Sequence, residues 1–295
     1  MRPRFVWQLR SRGIELGERT IIMGVVNVTP DSFSDGGQFL APEKAVTHGL
    51  RLLDEGADIL DIGGESTRPG APVANHDAVA EEEELRRVLP VLEALLRLRP
   101  DATLSVDTYK ASVAQTAVAA GAEIVNDVSG LQWDPQMAAA CAGLQCGVVL
   151  GHTRGTPQQW RSLPNLANVT ATVEHDLANR VQVALEHNVQ RGRIVLDPGF
   201  GFGKSFDENY PLLAHMDTLQ RLGFPLLAGT SRKGFIGHTL ERRKGMDVPA
   251  SERLYGSLAA MVVSILRGAH IVRVHDVKPA VEAATVADEV VKGSG

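Results

Sequence analysis

Apolar and polar positions follow two rhythms along this chain. Short β-branched or apolar runs recur at residues 21–28, Asp58–Gly63, Thr103–Thr108, Glu123–Val128, Gly147–His152, Ile194–Phe200, Pro225–Ser231 and Ala269–Asp276, each with the length and composition of a strand. Helical patterns separate them: Ala41–Glu55, the acid-led Glu81–Leu98, Ala111–Ala120, Val169–His187, Ser251–Arg267 and Lys278–Val291. Only Asp134–Ala142 is short for a helix that must cover a strand. About eight strand–helix alternations within 295 residues predict an α/β fold of the (β/α)8 TIM-barrel type, with a doubly wound parallel sheet as the alternative. Ahead of them, Phe5, Val6 and Trp7 followed by Arg12-Gly13 predict a short N-terminal hairpin closing the barrel bottom.

Composition narrows the setting. A chain that is 44% hydrophobic and 22% charged can bury one large core or two small ones, and a single domain over 1–295 is expected. The net charge of -5 and the scatter of Lys and Arg exclude the basic stripe of a nucleic-acid surface. The run Arg242-Arg243-Lys244 reads as a solvated loop. No apolar stretch approaches the ~20 residues of a membrane span, and Met1-Arg2-Pro3-Arg4 leads into no signal-like apolar core, so a soluble, cytoplasmic protein is expected. Cys141 and Cys146 match no common zinc spacing, even with His152, and read as small core thiols. The acids Glu81–Glu84 are spread around a helix start and read as capping and solvation.

In a barrel the chemistry lies at the carboxyl ends of the strands, and those ends are polar here. They carry Asn27, Asp61 with Glu65, Asp107, Asn126 with Asp127, His152, Asp197, Ser231 with Lys233, and Arg273 with His275. After the seventh and eighth strands, where barrels most often hold a phosphate, stand Thr230-Ser231-Arg232-Lys233-Gly234 and Arg273-Val274-His275. Arg273 and His275 project to one face of their strand and, with Arg68, suit a doubly charged anion such as pyrophosphate. Asp107, Asn126 and Asp197 instead suit the amidine-like edge of a 2-amino-4-oxo heterocycle; a divalent-metal cluster of the same acids is the rival reading. No Gly-x-Ser-x-Gly elbow surrounds Ser231 and neither Cys ends a strand, so direct displacement is expected rather than covalent catalysis. Gly199–Lys204 lacks the Ser or Thr of a P-loop and reads as a mobile loop offering Phe202 as a stacking surface. The break from Ile21–Asn27 into Thr29-Pro30-Asp31-Ser32-Phe33-Ser34-Asp35-Gly36-Gly37 reads as a strand end opening into a loop that closes over a ligand.

These segments, together with Gly63-Gly64-Glu65-Ser66-Thr67-Arg68-Pro69-Gly70, Ser105-Val106-Asp107-Thr108, Asp197-Pro198-Gly199-Phe200-Gly201-Phe202-Gly203-Lys204, Ser231-Arg232-Lys233 and Arg273-Val274-His275-Asp276-Val277, resemble the dihydropteroate synthase family in order across nearly the whole chain. The resemblance implies a transferase of folate biosynthesis that joins 6-hydroxymethyl-7,8-dihydropterin pyrophosphate to p-aminobenzoate, releasing pyrophosphate. It implies that Asp107, Asn126, Asp197 and Lys233 hold the pterin. Asn27, Arg68, Arg273 and His275 would hold the pyrophosphate with Mg2+, Asn27 being the protein's metal ligand. Thr67, Pro69, Phe202 and Ser231 would form the aminobenzoate pocket, and Phe33, Ser34 and Asp35 a closing loop. Asp35, Arg68, Asp107, Lys233, Arg273 and His275 are the expected catalytic set. A homodimer through late barrel helices and sensitivity to sulfonamides are implied in the same way. One departure is visible: His152-Thr153-Arg154-Gly155 stands where many members have His-Met-x-Gly.

A pterin-binding methyltransferase barrel acting on methyltetrahydrofolate would share the acids and Asn126, but would not need Ser231-Arg232-Lys233 or the Arg68 loop. A noncatalytic pterin-binding homologue would not need the anion groups Arg68, Arg273 and His275.

Overall fold

The computed structural model of the chain describes residues 2–28, 40–74 and 77–293. The segment Thr29–Gly37, with Phe33, Ser34 and Asp35, lies outside the described residues.

A two-stranded hairpin opens the fold, β1 (Phe5–Gln8) pairing antiparallel with β2 (Gly13–Leu16). Eight parallel strands follow among the described residues: β3 (Ile21–Asn27), β4 (Ile59–Gly63), β5 (Thr103–Asp107), β6 (Ile124–Asp127), β7 (Gly147–Gly151), β8 (Ile194–Asp197), β9 (Leu227–Ala228) and β10 (Ile271–Val274). Their order, β8-β7-β6-β5-β4-β3-β10-β9, is completed by a parallel bridge between Leu196 and Leu226, which joins β8 to the start of β9 and closes the barrel. The expected TIM barrel is therefore present, with its hairpin.

Each strand is buried on both faces. Inward-facing Met23, Ile59, Ile124, Val149, Val195, Leu227 and Ile271 form an inner core that Trp7, Leu9 and Leu16 of the hairpin region plug from below. Trp7 is fully buried and its indole N–H donates to Arg193 O at 2.8 Å, so the plug is both apolar and anchored. The outward residues, such as Ile22, Val26, Leu60, Ile62, Leu104 and Val106, pack beneath the helices in a second, larger core.

The helices are α1 (Leu40–Asp54), α2 (Glu81–Leu98), α3 (Ala111–Ala119), α4 (Met137–Leu144), α5 (Val169–Glu186), α6 (Asn209–Ala214), α7 (Gly234–Lys244), α8 (Leu254–Leu266) and α9 (Val277–Gly293). No described helix is long and apolar enough to cross a membrane. The free thiols Cys141 and Cys146 are both buried in the outer core.

Two expectations from the sequence change. Arg242-Arg243-Lys244 is not a loop but the exposed last turn of α7, where basic side chains suit the carbonyl end of a helix. Glu84 is not a solvated acid, because α2 packs it against β4 and α3: it is 1% exposed and accepts a 2.6 Å hydrogen bond from Lys110 Nζ.

Candidate active site

Because the strands are parallel, all their carboxyl ends open at one mouth. Side chains two apart on a strand share a face. Ile59, Ile124, Val195 and Ile271 line the inner core, so Asp61, Asn126, Asp197 and Arg273 stand one layer above them inside the barrel. Register places Asp107 beside Asn126 on one side and Gly63 on the other, and a Cβ on Gly63 would lie 3.4 Å from that of Asp107.

Arg273 is the hub of this layer. Its Nε donates to Asp61 Oδ2 at 2.6 Å and an Nη to Asp107 Oδ2 at 2.7 Å, while Asn126 Nδ2 donates to Asp61 Oδ2 at 2.9 Å. The sequence reading set Arg273 among the anion groups and Asp107 among the heterocycle groups; the structure joins them in one ion pair. Asp61 carried no assigned role in that reading, yet it is fully buried, and its Oδ1 has no hydrogen-bond partner among the described residues. Its signal was an acid two places after Ile59 inside an apolar run.

Burial lowers the affinity of Arg273 for its proton, but Asp61 and Asp107 outweigh that and hold it above the ordinary arginine value. Burial pushes Asp107 up against the opposing pull of Arg273, and pushes Asp197 up against its 2.7 Å hydrogen bond from Gly199 N–H. Lys233, the residue before α7, is brought down to about 8 by burial, with Asp197 acting against the shift. Its ammonium sits 3.8 Å from the Phe202 ring centroid, and Trp160 meets the same ring edge-on at 5.2 Å. Lys233 thus links the Asp197 side of the mouth to the Phe202 side.

His275 and Ser231 also meet. Ser231 Oγ accepts from His275 N at 3.2 Å and lies 3.1 Å from Nδ1. Burial, then Arg273, lowers His275 to about 3, so the ring is neutral at physiological pH. Arg232 turns outward to a two-pronged pair with Asp276, at 3.0 and 2.7 Å. Asp127 faces the outer side and accepts from Ser129 N and Leu131 N, both at 2.8 Å, as a turn-forming acid.

Three further expected residues sit on the rim. Thr67 is half-buried, while Arg68 and Pro69 are exposed, on the loop after β4. That loop is tied down beneath by Lys110, which donates at 2.7 Å to both Glu65 Oε2 and Val79 O besides its bond to Glu84. Nothing in the local sequence marked Lys110. Asn27 ends β3, half-buried, in register with Gly63.

The loop Gly199–Lys204 is held rather than mobile. Lys204 is buried and donates to Gly199 O at 2.7 Å and to Phe202 O at 3.2 Å, while Gly199, Gly201 and Gly203 all take positive φ. A side chain on Gly199 would strike His152 O at 1.9 Å, which is why the turn needs glycine there. Thr153 is buried, its hydroxyl 3.5 Å from Gly155 O, so the departure at this position is absorbed within its own turn.

A sequence model of the family described as "Pterin binding enzyme" matches residues 23–275. Dihydropteroate synthase of Bacillus subtilis is 42% identical over 278 residues, covering 94% of this chain and 91% of the relative. The chain belongs to the dihydropteroate synthase family. Among solved structures of the family, the Xanthomonas albilineans enzyme with 4-aminobenzoic acid is 46% identical, with a TM-score of 0.86 and 98% of each chain covered. The Yersinia pestis enzyme in a sulfonamide complex is 40% identical, with a TM-score of 0.88, 98% of this chain and 100% of that one covered. The dihydropteroate synthase family is thus matched in sequence and in backbone, and the barrel mouth is where its strand-end motifs converge.

Proposed function

We propose that this chain, a transferase by family, condenses 6-hydroxymethyl-7,8-dihydropterin pyrophosphate with p-aminobenzoate to give 7,8-dihydropteroate and pyrophosphate. The observation that carries the reading is the layer of Asp61, Asp107, Asn126 and Asp197 beside Arg273 and Lys233 at one barrel mouth. A heterocycle presenting adjacent N–H and NH2 donors pairs with the carboxylates and Asn126, and Lys233 offers a donor to its carbonyl and ring nitrogen.

In this reading the C–O bond between the pterin methylene and the pyrophosphate breaks first. The acids around the ring favour the positive charge that spreads into it, and Arg68, with Arg273 and His275, takes the departing charge. The aniline nitrogen then attacks the methylene carbon and releases one proton to solvent; a neutral aniline needs no strong general base. Asp35, Phe33 and Ser34 would close over the reacting carbon and limit water. Thr67, Pro69, Phe202 and Ser231 would seat the aminobenzoate ring and its carboxylate.

The donor set suits Mg2+ only as a companion of the substrate. Among the described residues, no group of three or more His, Cys, Asp or Glu could hold a metal, whereas Asn27 at the end of β3 offers a single neutral oxygen. Mg2+ held by Asn27 and the pyrophosphate oxygens would offset leaving-group charge. Exposed Tyr255, Val263 and Leu266 recur at helical spacing on α8 and support the homodimer implied by the family. A cytoplasmic location and competition between sulfonamides and p-aminobenzoate belong to the same proposal.

Offering the chain the pterin pyrophosphate or methyltetrahydrofolate separates the enzymatic alternatives. Turnover with p-aminobenzoate is expected only with the former; methyl transfer from the latter, to a corrinoid acceptor, would overturn the assignment.

A further inference from the structure

Behind the Phe202 loop runs a line of three polar side chains that the proposed chemistry does not use. Lys204 Nζ lies 2.9 Å from His152 Nδ1, and His152 Nε2 lies 3.1 Å from Asp176 Oδ2 on α5. Lys204 and His152 are buried, whereas the Asp176 side chain is 33% exposed, so the line runs from the barrel mouth out to the covering helix. Its hydrogen-bond directions are set by chemistry. Burial lowers Lys204 to about 7, and below that value it is an ammonium that only donates, so His152 Nδ1 accepts and Nε2 carries the ring proton, which it donates to Asp176. Burial, then the Lys204 charge, lowers His152 to about 4, in keeping with a neutral ring.

The other two protons of Lys204 serve the loop. One goes to Gly199 O at 2.7 Å and one to Phe202 O at 3.2 Å, while His152 O lies farther off at 3.4 Å. Phe200 anchors the loop in the outer core and Gly201 N–H donates to Asn209 Oδ1 at 2.7 Å, but the stretch around Phe202 is flanked by Gly201 and Gly203, both with positive φ. Phe202 itself is half-buried between Trp160 and the Lys233 ammonium. Asp197, by contrast, is held by its strand, in register with Gly151, and accepts the Gly199 N–H at 2.7 Å.

We infer that Lys204, oriented by His152 and Asp176, is a positioning residue that sets the Phe202 face of the aminobenzoate pocket through the carbonyls of Gly199 and Phe202. Lys204 touches no substrate in this assignment, which rests on the function proposed above. Its effect should fall on one substrate: loosening the loop moves Phe202 and leaves the strand-held pterin groups in place.

The test uses the full chain carrying Lys204→Met, which keeps the stem and removes the donors, and separately Asp176→Ala on the half-exposed helix face. Steady-state KM for p-aminobenzoate, kcat, and the calorimetric Kd of the pterin pyrophosphate are measured for each. Lys204→Met is expected to raise the aminobenzoate KM about tenfold or more with the pterin Kd within about threefold, and Asp176→Ala to raise the KM about threefold. An aminobenzoate KM within twofold of the parent in folded Lys204→Met overturns the inference, as does an equal rise in KM and pterin Kd, which marks a merely structural role. Should Lys204→Met fail to fold, Asp176→Ala decides, and an unchanged KM overturns the inference. Absence of dihydropteroate formation by the parent chain is a separate result, which overturns the function and this assignment with it.

Discussion

Arg273→Met removes the cation between two carboxylates without emptying the space it fills. Two charge-assisted hydrogen bonds, at 2.6 and 2.7 Å, are lost. At about 1.5–3 kcal/mol each they set an upper range of about 3–6 kcal/mol. Breaking one partner out of a buried pair costs about 3–5 kcal/mol, chiefly through the charge left behind. Here that charge is Asp61, whose side chain is 0% exposed, while Asp107 at 16% retains some contact with water. The expected loss is therefore about 3–5 kcal/mol at pH 8. It should shrink in acid. A carboxyl with a raised folded value holds a proton that the unfolded chain has already released, so stability falls as pH rises from the ordinary value of 3.8 towards the raised one. Removing Arg273 takes away the pull that opposes this shift in Asp107, which steepens the dependence. Each pH unit is worth up to about 1.4 kcal/mol per proton, and the parent's Asp107, raised to about 7, itself regains about one unit's worth, so about 1 kcal/mol of the loss should return between pH 8 and pH 6. Urea unfolding of parent and variant at both values measures this. A loss below about 1 kcal/mol at pH 8, or one equal at both pH values, would refute the hub assigned to Arg273.

Trp7→Ala should destabilise the fold by about 3–5 kcal/mol in urea unfolding, because the indole plugs the inner core and loses its bond to Arg193 O. Its pterin affinity should stay near the parent's, since the hairpin lies at the opposite end of the barrel. Lys233, brought down to about 8, should lose its proton above that value, so kcat/KM for the pterin substrate should decline on the alkaline side. A profile flat from pH 7 to pH 10 would remove Lys233 from the charged set.

Much of the barrel was legible because parallel strands buried on both faces give near-continuous apolar runs, each ended by a polar residue, as Ile59–Gly63 gives way to Gly64-Glu65. The helices α6 and α7 were not, since Pro211 shortens one and Gly234, Gly237 and the basic end of the other mask any apolar stripe. The polar strand ends were legible one strand at a time; their pairing was not. Arg273 and Asp107 are 166 positions apart, and only the register of the closed barrel sets that cation between Asp61 and Asp107. Glu84 and Lys204 show the same limit. Local pattern marks a charge at a helix start or a loop end, but its burial depends on which distant element covers it.

The central claim is that this mouth joins an aminobenzoate to a pterin methylene with loss of pyrophosphate. Incubating the full chain with 6-hydroxymethyl-7,8-dihydropterin pyrophosphate, p-aminobenzoate and Mg2+, and quantifying both products over time, tests it most directly. Dihydropteroate and pyrophosphate should accumulate in equal amounts. Pterin binding without either product, or pyrophosphate released without dihydropteroate, would contradict it.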